Sequence, residues 1–344
     1  MKVLIQLRHC VTRVFALFTL IALTGALVFP VGAQAAPIVM KIGTATLNDS
    51  QHQWMKIYAE LVEKNSNGQI KVELYPASQL GAIPRMIEGT QFGSIQAYVG
   101  PPEFLSGVDS RFEVLSAPGL FKDLAHANRT LQDPQFNAAF LALGANKGLK
   151  GIGLFLSGPM GFNTSAPVTK LSDLAGKKFR VLSSNMQMDQ MRLLNATPVP
   201  MSLGEVVPAM QQGALDGVMT SLPVFTALRF YDAAKHIYET DHAVVTVLTV
   251  VSKGWYERLP ADLKKVVTDA GQQASKDVYQ WSVDFVEAQR QAWVKAGGQI
   301  TYPTASDKEK LMKMMNPIGQ QVAAKKPEEK ALFDLLEAAA KRTE

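Results

Sequence analysis

The sequence is short of the residues on which much protein chemistry depends. It has one cysteine, Cys10, among 344 residues, so it can form neither an intrachain disulfide nor a thiolate metal cluster. Four of its five histidines, His52, His126, His236 and His242, follow the N-terminal region, and no two are spaced as metal ligands on one helix. Each reads as a surface or packing residue. There is no G-x-S-x-G, no H-E-x-x-H and no P-loop, and "GIGLFL" carries G-x-G without a third glycine, inside what reads as a strand. No nucleophile–base set and no cofactor is implied, which argues against an exported enzyme. Charge of one sign is also scarce: 35 Lys+Arg stand against 30 Asp+Glu, without the concentrated basic face that nucleic acid requires.

Long hydrophobic runs are limited to one. Residues 14–28 are apolar, follow Lys2, Arg8 and Arg13, and precede Pro30 and the small-residue run "GAQAAP". That order is a secretory signal peptide over residues 1–35 with an Ala-x-Ala site at Ala33–Ala35. Fifteen residues are fewer than the roughly 18–20 of a spanning helix. Cys10 precedes the apolar run, unlike a lipoprotein cysteine. The exported chain of 344 − 35 = 309 residues would carry a charge of about +2, since three of the 35 basic residues leave with the peptide. It would not span a membrane, and its length suits two domains held by apolar cores.

What remains alternates between two periodicities. "IVMKIGTAT" reads as a strand, "SQHQWMKIYAELVEKNSNG" as a helix ended by Asn67–Gly68, and "QIKVELYP" as a second strand. Strand, helix, strand over so short a span is a βαβ unit in a mostly parallel sheet. The pattern restarts near Lys150 with strand "GIGLFLSG", a loop, strand "KKFRVLS" and helix "SNMQMDQMRLLNA", in which Met186, Met188 and Met191 mark a core face. The expected fold is therefore α/β: two α/β domains around a cleft, domain I of 36–157 with 246–285 and domain II of 158–245 with 286–344. Two long apolar strands, 150–157 and 244–252, are placed to cross between them. A helical pattern over about 260–296 is long enough, at 1.5 Å per residue, to brace both.

Arg180 is the anomaly. It lies within "KKFRVLS" between Phe179 and Val181, with no local carboxylate. A buried guanidinium is costly unless an acid satisfies it, and its fork matches the two oxygens of a carboxylate. Residue type alone leaves two partners open: an internal acid such as Asp216 or Glu205, or a small organic acid bound at the mouth of the sheet.

The segments "LYPASQLG", "SAPGLF", "DLAGKKFRV", "NATPVPMSLGEVVPAMQQGALDG", "FYDAAKHIYETDH" and "WYERLPADLKK" occur in this order. Together they resemble the solute-binding subunits of tripartite ATP-independent periplasmic (TRAP) transporters, the DctP family. The resemblance runs through essentially the whole chain after residue 35. It implies a periplasmic protein that closes by hinge motion over an organic acid and hands it to membrane permease subunits driven by an ion gradient. It implies further that Arg180 pairs with the ligand carboxylate, while Glu205 and Asp216–Gly217 are structural.

Departures from the family pattern bear on the ligand. Where sialic-acid-binding members carry a second arginine, this chain has "SGPMGFNTSAPV"; the frequent Asn of "DGQENP" is Thr220, and the Tyr of "EVY" is Val207. The expectation is a pocket walled by Phe162, Tyr98 and methionines, with Ser183, Asn185 and Thr220 as polar contacts beside Arg180. Such a pocket favours a monocarboxylate, a 2-oxo or hydroxy acid, or an aromatic acid. The alternatives are a dicarboxylate-binding member or a ligand-presenting sensor subunit.

Overall fold

The computed structural model describes residues 36–344. The expected signal peptide and Cys10 lie outside the described residues. Among the described residues ten strands are formed: β1 (Ile38–Thr44), β2 (Ile70–Tyr75), β3 (Ala97–Gly100), β4 (Leu149–Thr164), β5 (Lys178–Val181), β6 (Thr197–Pro200), β7 (Gly217–Ser221), β8 (His236–Tyr238), β9 (Val244–Ser252) and β10 (Gln299–Thr301). The helices are α1 (Ser50–Asn65), α2 (Ile83–Phe92), α3 (Leu124–Leu131), α4 (Pro134–Leu141), α5 (Asn185–Leu193), α6 (Val206–Gln211), α7 (Leu222–Ala227), α8 (Lys253–Arg258), α9 (Ala261–Lys295), α10 (Ala305–Met315), α11 (Pro317–Ala323) and α12 (Pro327–Arg342).

The strands run β2-β1-β3-β9-β4-β7-β5-β6, with β8 joining β4 to β10. Parallel pairs β1–β2 and β1–β3 make one end, and parallel pairs β5–β6 and β5–β7 make the other. Between them, β4 and β9 pair antiparallel. These are the two apolar strands expected to cross, and their burial on both faces explains their unbroken hydrophobic character. Residues 149–159 of β4 pair with β9, whereas 160–164 pair with β7 and β8, so this one strand belongs to both α/β domains.

The expected loop after Ser157 is absent. β4 continues through Gly158–Pro159 because register shifts beside Gly151 and Leu156 bulge the strand and accommodate proline without ending the ladder. This extension places Phe162 opposite Met219 and Tyr238.

Helix α9 spans 35 residues, as the apolar pattern predicts, and buries Leu263, Val267, Ala270, Ala274 and Val278. Its approach to β4 depends on glycine: a Cβ on Gly271 would stand 2.4 Å from the Ile152 carbonyl oxygen. There Trp54 Nε1 donates to Ser275 Oγ at 3.1 Å, and the indole stacks between Tyr58 and Phe155. Asp49 caps α1 by accepting from the backbone N–H of Gln51 and His52, which fixes the start of that helix. The last helix packs on α3 and α4, elements of domain I as the sequence divides the chain, although that division sets 286–344 with domain II.

Candidate functional site

Strand β5 sets the site. Gly176, at φ 75°, turns the chain into it, a conformation that glycine adopts at no steric cost. Asp216 Oδ2 accepts from the Lys178 N–H at 2.8 Å and so fixes the strand entrance. Arg180 lies between Val199 of β6 and Val218 of β7, 1% exposed. Its Nε donates to the Met201 carbonyl at 2.9 Å, which locks the plane of the guanidinium. Nη1 and Nη2 are buried and have no partner among the described residues. Burial pushes the arginine down to about 10, opposed by the charge of Glu103. The Phe104 ring sits 5.8 Å from the guanidinium carbon.

Arg180 lines a cavity together with Thr46, Gln51, Tyr98 and Phe104 from one domain and Thr220 from its own. Ile83, Leu203, Val224 and Val245 supply apolar wall, and among the described residues Arg180 is the only cation lining it. On the wall that includes Thr46, Gln51 Oε1 accepts from Thr44 Oγ1 at 2.9 Å. Asp49 behind it is held above the ordinary carboxylate range, mainly by burial. The space left inside, about 20 Å³ for water centres, admits one water. A groove of about 380 Å³ lies outside, sharing Ile83 and Phe104 with the cavity and continuing along Ser183, Met201 and Glu205. Ser106 Oγ donates to the carbonyl of Ser183, a lining residue of this groove, at 2.6 Å.

The structure thus brings together Arg180, Tyr98 and Thr220. Ser183 stands at the outer groove. Asn185 is engaged elsewhere: its N–H and side-chain amide donate to the Glu113 carboxylate at 2.6 and 3.2 Å, fastening the start of α5. Phe162 is not a cavity wall. Because β4 continues as strand, its ring lies in the core, edge-on to Phe179 at 5.5 Å and stacked on His242 at 5.4 Å. No methionine lines the cavity either; Met186 and Met191 are core residues. Neither Asp216 nor Glu205 reaches Arg180: Asp216 holds Lys178, and Glu205 is exposed at the outer groove.

Sequence reasoning missed Glu103. It is 2% exposed in the turn Pro102–Leu105, and burial raises it to about 7, with Ser116 and Arg180 opposing that rise and Glu113 adding to it. The available signal was the same as for Arg180: a charged residue inside the otherwise apolar "YVGPPEFL". Among the described residues no cluster of three or more His, Cys, Asp or Glu is placed to hold a metal ion, and no helix is long and apolar enough to cross a membrane.

Residues 43–326 match the model of the family described as bacterial extracellular solute-binding protein, family 7 (DctP). The chain is 25% identical over 331 residues to the C4-dicarboxylate-binding periplasmic protein DctP of Shewanella loihica, covering 96% of each. It is 29% identical to the 2,3-diketo-L-gulonate-binding periplasmic protein YiaO of Escherichia coli, over 66% of this chain and 69% of that one. Among solved structures, a TRAP periplasmic solute-binding protein from Desulfovibrio salexigens with bound orotic acid superposes with a TM-score of 0.84 at 26% identity, covering 89% of this chain and 99% of the other.

Proposed function

The chain belongs to bacterial extracellular solute-binding protein family 7, the solute-binding subunits of TRAP transporters, and from that premise we propose that its ligand is a monocarboxylate held by Arg180. The preferred class is a 2-oxo or hydroxy acid, or an aromatic acid. The protein is exported through the signal peptide of residues 1–35, takes up its acid in the periplasm and delivers it to TRAP membrane permease subunits for uptake driven by an ion gradient.

One observation carries this reading: the guanidinium has two unpartnered, buried NH2 groups, Nη1 and Nη2, and lines a cavity that has no other cation among the described residues. A carboxylate satisfies both at once, removing the cost of a lone buried charge. A second carboxylate would have no countercharge there. Thr220 and Tyr98 stand at the same cavity to orient an oxo or hydroxyl group, and the apolar wall gains from burying hydrocarbon at about 25 cal/mol per Å² before binding costs. Orotic acid, held by the Desulfovibrio relative, is an aromatic monocarboxylic acid, which supports the class. The relatives named for C4-dicarboxylates keep the dicarboxylate alternative in view.

The enclosed space admits only a water, so an organic acid enters when the domains part. Such opening bends β4 and β9, the two strands that cross between the domains, with the last helix staying on the domain I helices α3 and α4 that it packs against. A thermal-shift panel containing succinate, 4-methyl-2-oxovalerate, benzoate and orotate tests the class, since an acid that binds the folded state raises its melting temperature. Stabilisation by a monocarboxylate above succinate supports the reading; tightest binding of succinate overturns it.

A further inference from the structure

Glu103 follows β3 and sits one residue before the Phe104 ring that faces Arg180. Its Oε1 accepts from Ser116 Oγ at 2.6 Å, while Oε2 is buried without a partner. The charged and titratable groups around it are Tyr98 on β3, Glu113 in the turn Ser110–Ser116, and Arg180 on β5. Glu113 is committed to Asn185. No hydrogen bond joins Glu103 to Arg180, so each holds buried, unpartnered atoms within the other's field. A polar chain also connects them across the domains. Gln187 Nε2 donates to Ser116 Oγ at 3.4 Å, and Gln187 Oε1 accepts from the N–H of Leu182, two residues after Arg180, at 2.9 Å.

We propose that Glu103 and Arg180 form a charge-coupled pair in which occupation of the Arg180 fork by a carboxylate draws a proton onto Glu103, so that capture of the acid takes up a proton from solvent. This rests on the reading of Arg180 as the carboxylate anchor. The physics is electrostatic. With the fork free, the guanidinium is the one cation near Glu103 among the described residues and favours its ionised form against burial, leaving it poised at about 7. A bound carboxylate cancels that cation and adds a negative charge, and both changes raise Glu103 further. Proton balance is complete with solvent as the donor, and no other reactant is needed. Linkage fixes the sign: the bound form holds the proton to higher pH than the free form, so affinity is level below about 7 and falls above it, by at most about tenfold per pH unit.

The test is carboxyl ¹³C NMR of protein labelled at glutamate, with the Glu103 signal assigned by its loss in Glu103→Gln. The expected midpoint is near 7 in the wild type and higher in Arg180→Met, which removes the cation as a bound carboxylate would neutralise it. Should that variant fail to fold, Arg180→Gln provides the same comparison. A midpoint unmoved by loss of Arg180, or one in the ordinary carboxylate range of about 4–5, overturns the pair. Calorimetry with 4-methyl-2-oxovalerate at about pH 8, above the free-form midpoint, in two buffers of different ionisation heat, gives the proton count. Uptake in the wild type and none in Glu103→Gln supports the coupling, and binding without uptake overturns it. If this acid does not bind while the midpoint still moves with Arg180, the pair stands and the assigned ligand class is what fails.

Discussion

Two arginines, one on α9 and one on β5, show how differently a fold treats the same side chain. Arg290 is fully answered: its Nε lies 3.1 and 3.0 Å from the two Glu239 carboxylate oxygens, its Nη2 donates to Glu239 at 2.6 Å, and its Nη1 donates to Glu287 at 3.0 Å. Glu239 therefore holds it above its ordinary value despite the cost of burial. Arg180 is more deeply buried and has one protein acceptor, the Met201 carbonyl. The comparison separates a strut from a receptor. Where the protein supplies the acid, the ion pair fastens elements together; where it withholds the acid, the guanidinium is left for a partner from outside.

The largest expected contrast follows directly. Arg180→Ala removes a bidentate, charge-assisted contact and should weaken acid binding by about 3 kcal/mol or more, a hundredfold or greater, by calorimetry. The same change deletes an unpaired buried charge, so unfolding by denaturant should occur at equal or higher denaturant concentration. Undiminished binding, or a marked loss of stability, would place Arg180 with the struts.

Glu103 sharpens the contrast by pH. Its folded-state value lies above its ordinary 4.5, at about 7, so the folded protein binds more protons than the unfolded chain between those values. Stability must therefore fall as pH rises through that window and level off above it. At about 1.4 kcal/mol per pH unit this amounts to at most about 3 kcal/mol. Glu103→Gln should remove this slope, measured as the difference in unfolding free energy between wild type and variant across that range. Parallel curves would contradict the placement of Glu103.

Arg290→Ala is the converse of the Arg180 change. It strands Glu239, which is 2% exposed, beside an arginine site that is partly open to solvent. We expect a stability loss of about 2 kcal/mol, reduced from the full cost of breaking a buried pair by that exposure. Acid affinity should stay within about twofold. The smallest effect is that of Arg180→Lys, which keeps the charge and loses the fork. Binding should weaken by about 1.5 kcal/mol, roughly tenfold. Equal affinity for the lysine variant would mean that charge alone, without bidentate geometry, holds the acid.

The parts of the fold most legible in sequence were those with strong periodicity. The run "VVTVLTVVS" and the long helical pattern stopped by Gly297–Gly298 correspond to β9 and α9. In the sequence Gly158 and Pro159 signal the end of β4, whereas the bulge that absorbs them depends on its pairing with β9, a contact far away in sequence. That misreading carried Phe162 into the expected pocket, since the facing of a strand residue follows from register. In the site, Arg180 was legible because a charge within an apolar strand requires a partner. The partners of Asn185 and Glu103 were not, because Glu113 and Ser116 reach them through tertiary packing alone.

The most direct test of the central claim is a crystal structure of the protein with the acid that stabilises it most. The account predicts one carboxylate with its two oxygens about 2.8 Å from Nη1 and Nη2 of Arg180. A carboxylate bound elsewhere, with the Arg180 fork turned to an acid of the protein itself, would contradict it.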